Sequence, residues 1–354
     1  PTRTINVAFW RMVIAEGRAN TSIPGNPRQE KFLSLFHPLS FTNHNPTKVD
    51  FFPYVNATQD RVKDEVDTKT GMEVFWKIDA GKQLNIAINP DFGQVESDEL
   101  VVNFSSSETF YSDKRPFFSE NHSLFDVKSD EIFYIINTRR IGAAPDYDCS
   151  RYGAELAEAC AAASTGISDI DVALRYTQQG ESIDFGFLGA LESDAEFSEG
   201  RQFYALRGVK NGENYSVGYL GTLADRPFID RTATVHSVDW LYRPSETVRL
   251  SAVGMRSDVD EAIDDLDSSG NGITLDVSLT PNRDRWHYIG GYYFDADLDI
   301  TDMGYQVVEN WAYIGNQNGI KSTDFSEDSP ILATDLEFGF AVETNAEFEP
   351  AGEV

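Results

Sequence analysis

The sequence is poor in basic residues, in cysteine and in long apolar runs. Its 354 residues carry 29 Lys and Arg against 58 Asp and Glu, a formal net charge of −29. Such a balance lacks the clustered cations that phosphate neutralisation requires, so nucleic acid is excluded as a partner. No apolar run approaches the ~18 residues of a membrane-spanning helix; the longest, from Phe9 to Ala15, is interrupted by Arg11. The histidines, His37, His44, His122, His236 and His287, are scattered without HxxxH spacing, and there is no CxxC pair, which argues against a zinc site. Neither GxSxG, nor a Gly-rich phosphate loop, nor a haem-attachment CxxCH occurs. No cofactor is therefore expected. Carboxylates are so numerous that pairs spaced for glycoside hydrolysis arise by coincidence, and none stands out by motif, so the expectation is a protein that is not an enzyme. The two cysteines, Cys149 and Cys160, lie close together in one loop-like stretch where a local disulfide is geometrically accessible.

What the chain has in quantity is aromatics, 24 Phe, 15 Tyr and 5 Trp, many of them on alternating positions. The dominant period is two. Met72, Val74, Trp76 and Ile78 interleave with Glu73, Lys77 and Asp79, and Leu84, Ile86 and Ile88 interleave with Asn85, Ala87 and Asn89, with Ala80-Gly81-Lys82 as a tight turn between them. Ile183, Phe185 and Phe187, then Ile273, Leu275, Val277 and Leu279, repeat the pattern. Further strands are expected over 5–15, 31–39, 49–60, 131–141, 170–178, 202–209, 215–223, 232–242, 247–256, 286–294, 307–314 and 331–342. Short turns alternate with long polar connections at 143–168, 256–272 and 315–330. The expected fold is all-β, an antiparallel transmembrane β-meander or barrel of the outer-membrane type, with about fifteen strands long enough to cross a bilayer when tilted. Aromatics at Trp10, Trp76, Tyr215, Trp240, Tyr242, Trp286, Tyr288, Tyr292, Phe294, Trp311 and Tyr313 fit an interfacial girdle. Arg175, Thr177, Asp184, Arg249, Ser251, Thr274 and Asp276, opposite apolar faces, fit a polar lumen.

The stretch over 90–130 breaks this rhythm and is too long and too apolar for an ordinary exposed loop, so an inserted plug-like or periplasmic segment is expected within a barrel domain spanning 1–354. Its strings Asn89-Pro90-Asp91-Phe92-Gly93-Gln94-Val95-Glu96, Val101-Val102-Asn103-Phe104, Glu108-Thr109-Phe110-Tyr111 and Lys114-Arg115-Pro116-Phe117-Phe118, followed by Ile132-Phe133-Tyr134 and Thr138-Arg139-Arg140-Ile141-Gly142, resemble the signature of a bacterial outer-membrane β-barrel family of unknown function. Members of that family carry an N-terminal family-nine-like carbohydrate-binding domain. The resemblance is specific over residues 50–142. It implies a multi-pass barrel in the bacterial outer membrane, although the upstream domain is absent from this chain and the C-terminus lacks the aromatic residue that commonly closes such barrels. Together with the opening at Pro1, this leads us to expect a trimmed chain lacking its last barrel strands. Within the signature, Asp91, Glu96, Lys114, Arg115, Arg139 and Arg140 are candidates to anchor the insert in the lumen, because buried charges persist when partnered; capping of turns at the rim is the alternative.

One further motif is a calcium-like loop, Asp265, Asp267 and Ser269 with Asp276 at the twelfth position, which departs from such loops by Gly272 and by Asp in place of the bidentate Glu. An acidic, solvated loop is the competing reading. The function expected is a porin-like or solute-import channel for small solutes or saccharides, in contact with outer-membrane lipid. The alternative is a soluble all-β carbohydrate-binding or glycoside-hydrolysing protein.

Overall fold

In a computed structural model of the chain, the structure describes residues 2–13, 18–23, 36–42, 47–60, 65–91, 110–129, 132–164, 166–262, 267–282, 285–306, 311–322 and 334–345. The first four strands, β1 (Thr2–Val7), β2 (Trp10–Val13), β3 (Arg18–Thr21) and β4 (His37–Thr42), pair as two small antiparallel ribbons, β1 with β4 and β2 with β3. The strand expected over 5–15 is thus divided between two sheets.

Thirteen strands then form one sheet. They are β5 (Lys48–Asp60), β6 (Glu65–Asp79), β7 (Lys82–Ile88), β10 (Ile170–Gln179), β11 (Ile183–Glu192), β12 (Gln202–Asn211), β13 (Tyr215–Arg226), β14 (Arg231–Ser245), β15 (Val248–Glu261), β16 (Ser268–Asn282), β17 (Arg285–Phe294), β19 (Trp311–Ser322) and β20 (Thr334–Asn345). The intervening numbers belong to two-residue strands, β8 (Lys128–Ser129), β9 (Phe133–Tyr134) and β18 (Tyr305–Gln306), which make a separate sheet in the order β18-β9-β8. In the large sheet the spatial order follows the chain, and each neighbouring pair is antiparallel. Register places like with like: Leu84 lies opposite Trp76 and Tyr176, whereas Gln83 lies opposite Lys77 and Thr177. A slip of one residue would exchange the two faces along the whole strand, so the alternation itself fixes the pairing.

At one end of the strands the connections are short, at 80–81, 180–182, 212–214, 246–247 and 283–284, apart from the eleven residues 323–333 that join β19 to β20. At the other end they run over 61–64, 89–169, 193–201, 227–230, 262–267 and 295–310. This is the all-β meander of the outer-membrane type, with thirteen wall strands among the described residues where about fifteen were expected. Among the described residues β5 and β20 each keep an unpaired edge, so the sheet does not close on itself.

The chain leaves the wall at β7 and returns at its neighbour β10. The described residues of 110–169 between them fold as turns, 3-10 segments, the two-residue strands β8 and β9, and two short helices, α1 (Pro116–Ser119) and α2 (Ala154–Ala163). The irregular excursion therefore continues past the expected limit at residue 130. The strand expected over 131–141 is not a wall strand. Phe133, Ile135, Ile136 and Ile141 are buried together with Phe117, Phe118 and Phe294, and a run packed on every side has no reason to alternate. The core thus lies between this insert and one face of the sheet, where Phe203, Leu188 and Leu220 also point.

Candidate lumenal site

The two faces of the wall differ in chemistry. On the outward face Ile273, Leu275, Ile289, Phe338 and Phe340 are between 48% and 67% exposed, and they continue around the sheet as Phe51, Val172, Phe185, Val217 and Val238. On the inward face the register brings together Arg175, Thr177, Asp184, Arg249, Ser251, Thr274 and Asp276, the residues expected to share a polar side. Trp76, Tyr215, Trp240 and Tyr242 sit on the outward face close to the short turns, with Tyr215 opposite Tyr242. The other girdle candidates do not. Trp286, Tyr288, Tyr292, Phe294 and Tyr313 face inward, because Tyr292 pairs with inward Thr274 whereas Tyr293 pairs with outward Ile273. Trp10 belongs to β2, outside the wall, and the side chain of Trp311 lies outside the described set.

Charged side chains on the inward face hold the insert. Glu120 Oε2 accepts from Gln83 Nε2 at 2.7 Å and from Asn85 Nδ2 at 3.2 Å, with Arg175 at 3.7 Å. The Arg175 guanidinium also stands over the Phe117 ring at 5.5 Å. Arg207 is paired with Asp239 and donates from Nε to the Leu124 carbonyl at 3.0 Å. Arg201 and Glu192, both buried, form a pair at 2.6 Å; the Gly142 amide donates to the same carboxylate, and Arg201 reaches the Ala143 carbonyl. At the long-loop end Arg226 bridges Asp146 of the insert and Asp302 of the β17–β19 loop, while Arg231 binds Asp299, Asp302 and Glu261. Burial raises the Asp302 carboxyl, but hydrogen bonds and charge from Arg231 and Arg226 outweigh it and leave the group below the usual carboxylate range.

The anchors nominated from the sequence have other partners. Arg115 binds Asp113 at 2.6 Å and the carbonyls of Ile141 and Thr138, tying the insert to itself. Burial raises the Asp113 carboxyl, yet Arg115 and the Thr138 hydroxyl prevail and hold it below its ordinary value. Arg139 donates to the Ser112 carbonyl and lies over Tyr111, and Arg140 Nε donates to the Gly304 carbonyl at 3.2 Å. Asp91 accepts from Asn56 of β5 at 2.8 Å, Lys114 is exposed, and Glu96 lies outside the described residues. Among the residues that bind the insert to the wall, Asp91 was nominated, Arg175 was expected only on the polar face, and Glu120, Arg201, Arg207 and Arg226 were not nominated. For the arginines the signal in the sequence is a charged residue at an inward position of an otherwise apolar strand or at its end.

The calcium-like loop is replaced by a strand. Ser269 and Asp276 both belong to β16 but point to opposite faces, and Asp276 accepts from the Tyr288 hydroxyl. Asp267 precedes the strand, and Asp265 lies outside the described residues. Extended backbone cannot wrap these oxygens around one ion, and among the described residues no three His, Cys, Asp or Glu groups converge as a metal site. Cys149 and Cys160 are joined in a disulfide with Cα atoms 5.6 Å apart, linking the 3-10 turn Cys149–Arg151 to α2.

Between the insert edge at 126–129 and the inward face of β13–β17 lies a cavity of about 520 Å3, lined by Asp126, Lys128, Asp239, Arg249, Asp276 and Tyr288 among others. A second, of about 440 Å3, is lined by Tyr288, Tyr313, Gln317 and Glu337. Tyr288 borders both.

No curated protein matches the chain. Among solved structures it is similar to the outer membrane protein OmpT of Vibrio cholerae in its trimer form, at 11% identity and TM-score 0.34, covering 84% of this chain and 98% of that one. It is also similar to a porin, at 12% identity and TM-score 0.30, covering 83% and 100%. A deletion mutant of the same OmpT lacking loop L8 matches at 10% identity and TM-score 0.30, covering 84% and 99%. Over residues 45–166, from the first wall strand through α2, the chain matches a domain of unknown function, DUF5916.

Proposed function

We propose that this chain is the wall and lumenal insert of a bacterial outer-membrane β-barrel that conducts or imports a small polar solute and catalyses no reaction. One observation carries the reading: thirteen consecutive strands present an apolar outward face and a polar inward face, and the insert packs on the polar side. A soluble sandwich buries its apolar face; here that face is the exposed one, as contact with lipid tails requires. Aromatic rings near the short turns on the outward face suit the headgroup boundary. The acidic chain, with a formal charge of −29, favours cations over anions at the mouth and in the lumen. Glycan fragments are the solute class that the family resemblance of residues 50–142 suggests.

The test is expression of the full precursor in a Gram-negative host, followed by membrane separation, gel mobility with and without boiling, and planar-bilayer recording. Outer-membrane recovery, a heat-dependent mobility shift and cation-selective conductance are expected. Recovery in the aqueous fraction without detergent and without a mobility shift would refute the barrel and favour the soluble carbohydrate-active alternative.

A further inference from the structure

We infer that the part of the lumen left open by the insert is a binding track for neutral hexopyranose oligosaccharides, with Trp286, Tyr288 and Tyr313 as stacking platforms. The inference rests on the barrel reading above and names its solute class.

The insert does not fill the inward face evenly. Its segment 117–125 lies against β7 and β10–β12, through Glu120 on Gln83 and Asn85, Phe125 over Gly186, and Leu124 on Arg207. The β14–β20 side is where the two cavities lie, and both fall within the ~300–1,000 Å3 typical of ligand sites. Their shared border is Tyr288.

The aromatic rings on this side lie down along the wall. A side chain at Gly290 would collide with the Tyr288 hydroxyl, one at Gly315 with the Tyr313 hydroxyl, and one at Gly319 with the Trp286 indole. Glycine at these positions lets each ring cross the strand flat, so that a ring face rather than an edge meets the lumen. Tyr292 continues the row, stacked on Tyr313 at 5.4 Å and on Phe294 at 5.2 Å. On the outward face Tyr219 lies over Gly221 in the same way and hydrogen-bonds His236; the inward rings differ in being bordered by several charged and amide groups, Asp276, Arg249, Gln317 and Glu337.

A row of apolar ring faces with hydrogen-bonding groups at the edges matches a solute that is itself apolar on its faces and polar at its rim. A hexopyranose has that form, with C–H groups on the face and hydroxyls around the edge. Both signs of charge border the track, Asp126, Asp239, Asp276 and Glu337 with Lys128 and Arg249, so its rim meets a polyol with hydrogen-bond acceptors and donors at once, while the acidic excess accords with the cation preference proposed above. The hydroxyls find acceptors in the carboxylates and donors in the guanidinium and amide.

The experiment uses the folded full-length barrel in a planar bilayer, titrated with cellohexaose and with maltohexaose, alongside calorimetry of the same protein in detergent. We expect at least one sugar to block the current and to bind. Tyr288→Ala and Trp286→Ala each weaken the block about tenfold, the equivalent of ~1.4 kcal/mol per stacked ring, while sugar-free conductance persists. Tyr288→Phe, which keeps the ring, stays within about threefold of the parent. A conducting barrel that neither sugar blocks, or a block that Tyr288→Ala leaves unchanged, overturns the inference and leaves the channel reading intact. A protein that shows no heat shift and no conductance refutes the channel reading instead, and calorimetric sugar binding that is lost in Tyr288→Ala then upholds the track, while its absence overturns it.

Discussion

Replacing Asp302 by Asn removes one carboxylate from the place where the β17–β19 loop meets the wall. Its side chain is 3% exposed and receives Arg226 Nη1 at 2.7 Å, Arg231 Nε at 3.0 Å and Arg231 Nη2 at 2.7 Å. Each charge-assisted bond is worth about 1.5–3 kcal/mol, and breaking a fully buried pair costs about 3–5 kcal/mol. Two features reduce that figure. Asp146 still holds Arg226, with Asp299 and Glu261 still on Arg231, and the arginine side chains are 26% and 15% exposed, which lets solvent screen them. The net expectation is a loss of ~2–3 kcal/mol in the local stability of 295–306 and of the insert around Asp146. Hydrogen exchange on the folded barrel reads this as amide exchange roughly 30- to 150-fold faster in those segments, with little change in the strands of the wall. Exchange in 295–306 within threefold of the parent would refute the reasoning, as would a lowered global transition with local exchange unaltered. Acid imitates the substitution late. Because the folded carboxyl titrates below its unfolded value, its contribution is complete above pH ~3.9 and is lost only as the pH falls through the depressed folded value.

Leu275→Arg, on the outward face of β16, should reduce folding into lipid vesicles by ~2–4 kcal/mol if it lies near the bilayer midplane, whereas Ser251→Arg, on the polar face of β15, should fold as the parent does; equal yields would contradict the facing. Cys149→Ser opens a disulfide between residues 11 apart, worth ~3 kcal/mol in chain entropy, so exchange over 149–163 should accelerate and the parent treated with reductant should behave alike, with the wall transition unmoved. Burial holds His122 below its ordinary pKa, against opposing charge from Asp126 and Asp113; the unfolded chain therefore binds the extra proton, and stability is intact above pH ~6.5 and falls as the pH drops below it. Insert exchange should accelerate on acidification below that point, and His122→Gln should remove that dependence.

The wall was legible where one face is apolar and the other is not. β6, β7, β11 and β16 follow the alternation residue by residue, and Arg175, Thr177, Asp184 and Asp276 fall on the face it assigns them. β17 was harder to read, because Trp286, Tyr288 and Tyr292 alternate with His287, Ile289 and Tyr293, and both sets are compatible with lipid; only the pairing to Thr274 and Ile273 decides which side is inward. The run Ile132 to Ile136 misled for the opposite reason, since burial on all sides erases periodicity and leaves a buried segment with a two-residue strand looking like a wall strand. The Arg partners of the insert were invisible as partners, because each meets a residue scores of positions away, Asp302 for Arg226 and Leu124 for Arg207. Ser269 and Asp276 matched a calcium-loop spacing but lie on an extended strand, whose hairpin with β15 dictates its conformation.

The chain departs from the wall at β7 and rejoins it at the adjacent β10. The other connections between neighbouring wall strands span 2 to 16 residues; this one junction, at the end opposite the short turns, must close an excursion of roughly 80 residues, at an added entropic cost of ~3 kcal/mol over a two- or three-residue turn. Assembly of the wall is therefore expected to stall at that seam, with β5–β7 and the run from β10 onward forming as separate halves that the folded insert splices together. The same arrangement makes the insert a cassette: a short hairpin turn in its place would leave every strand with its present neighbour.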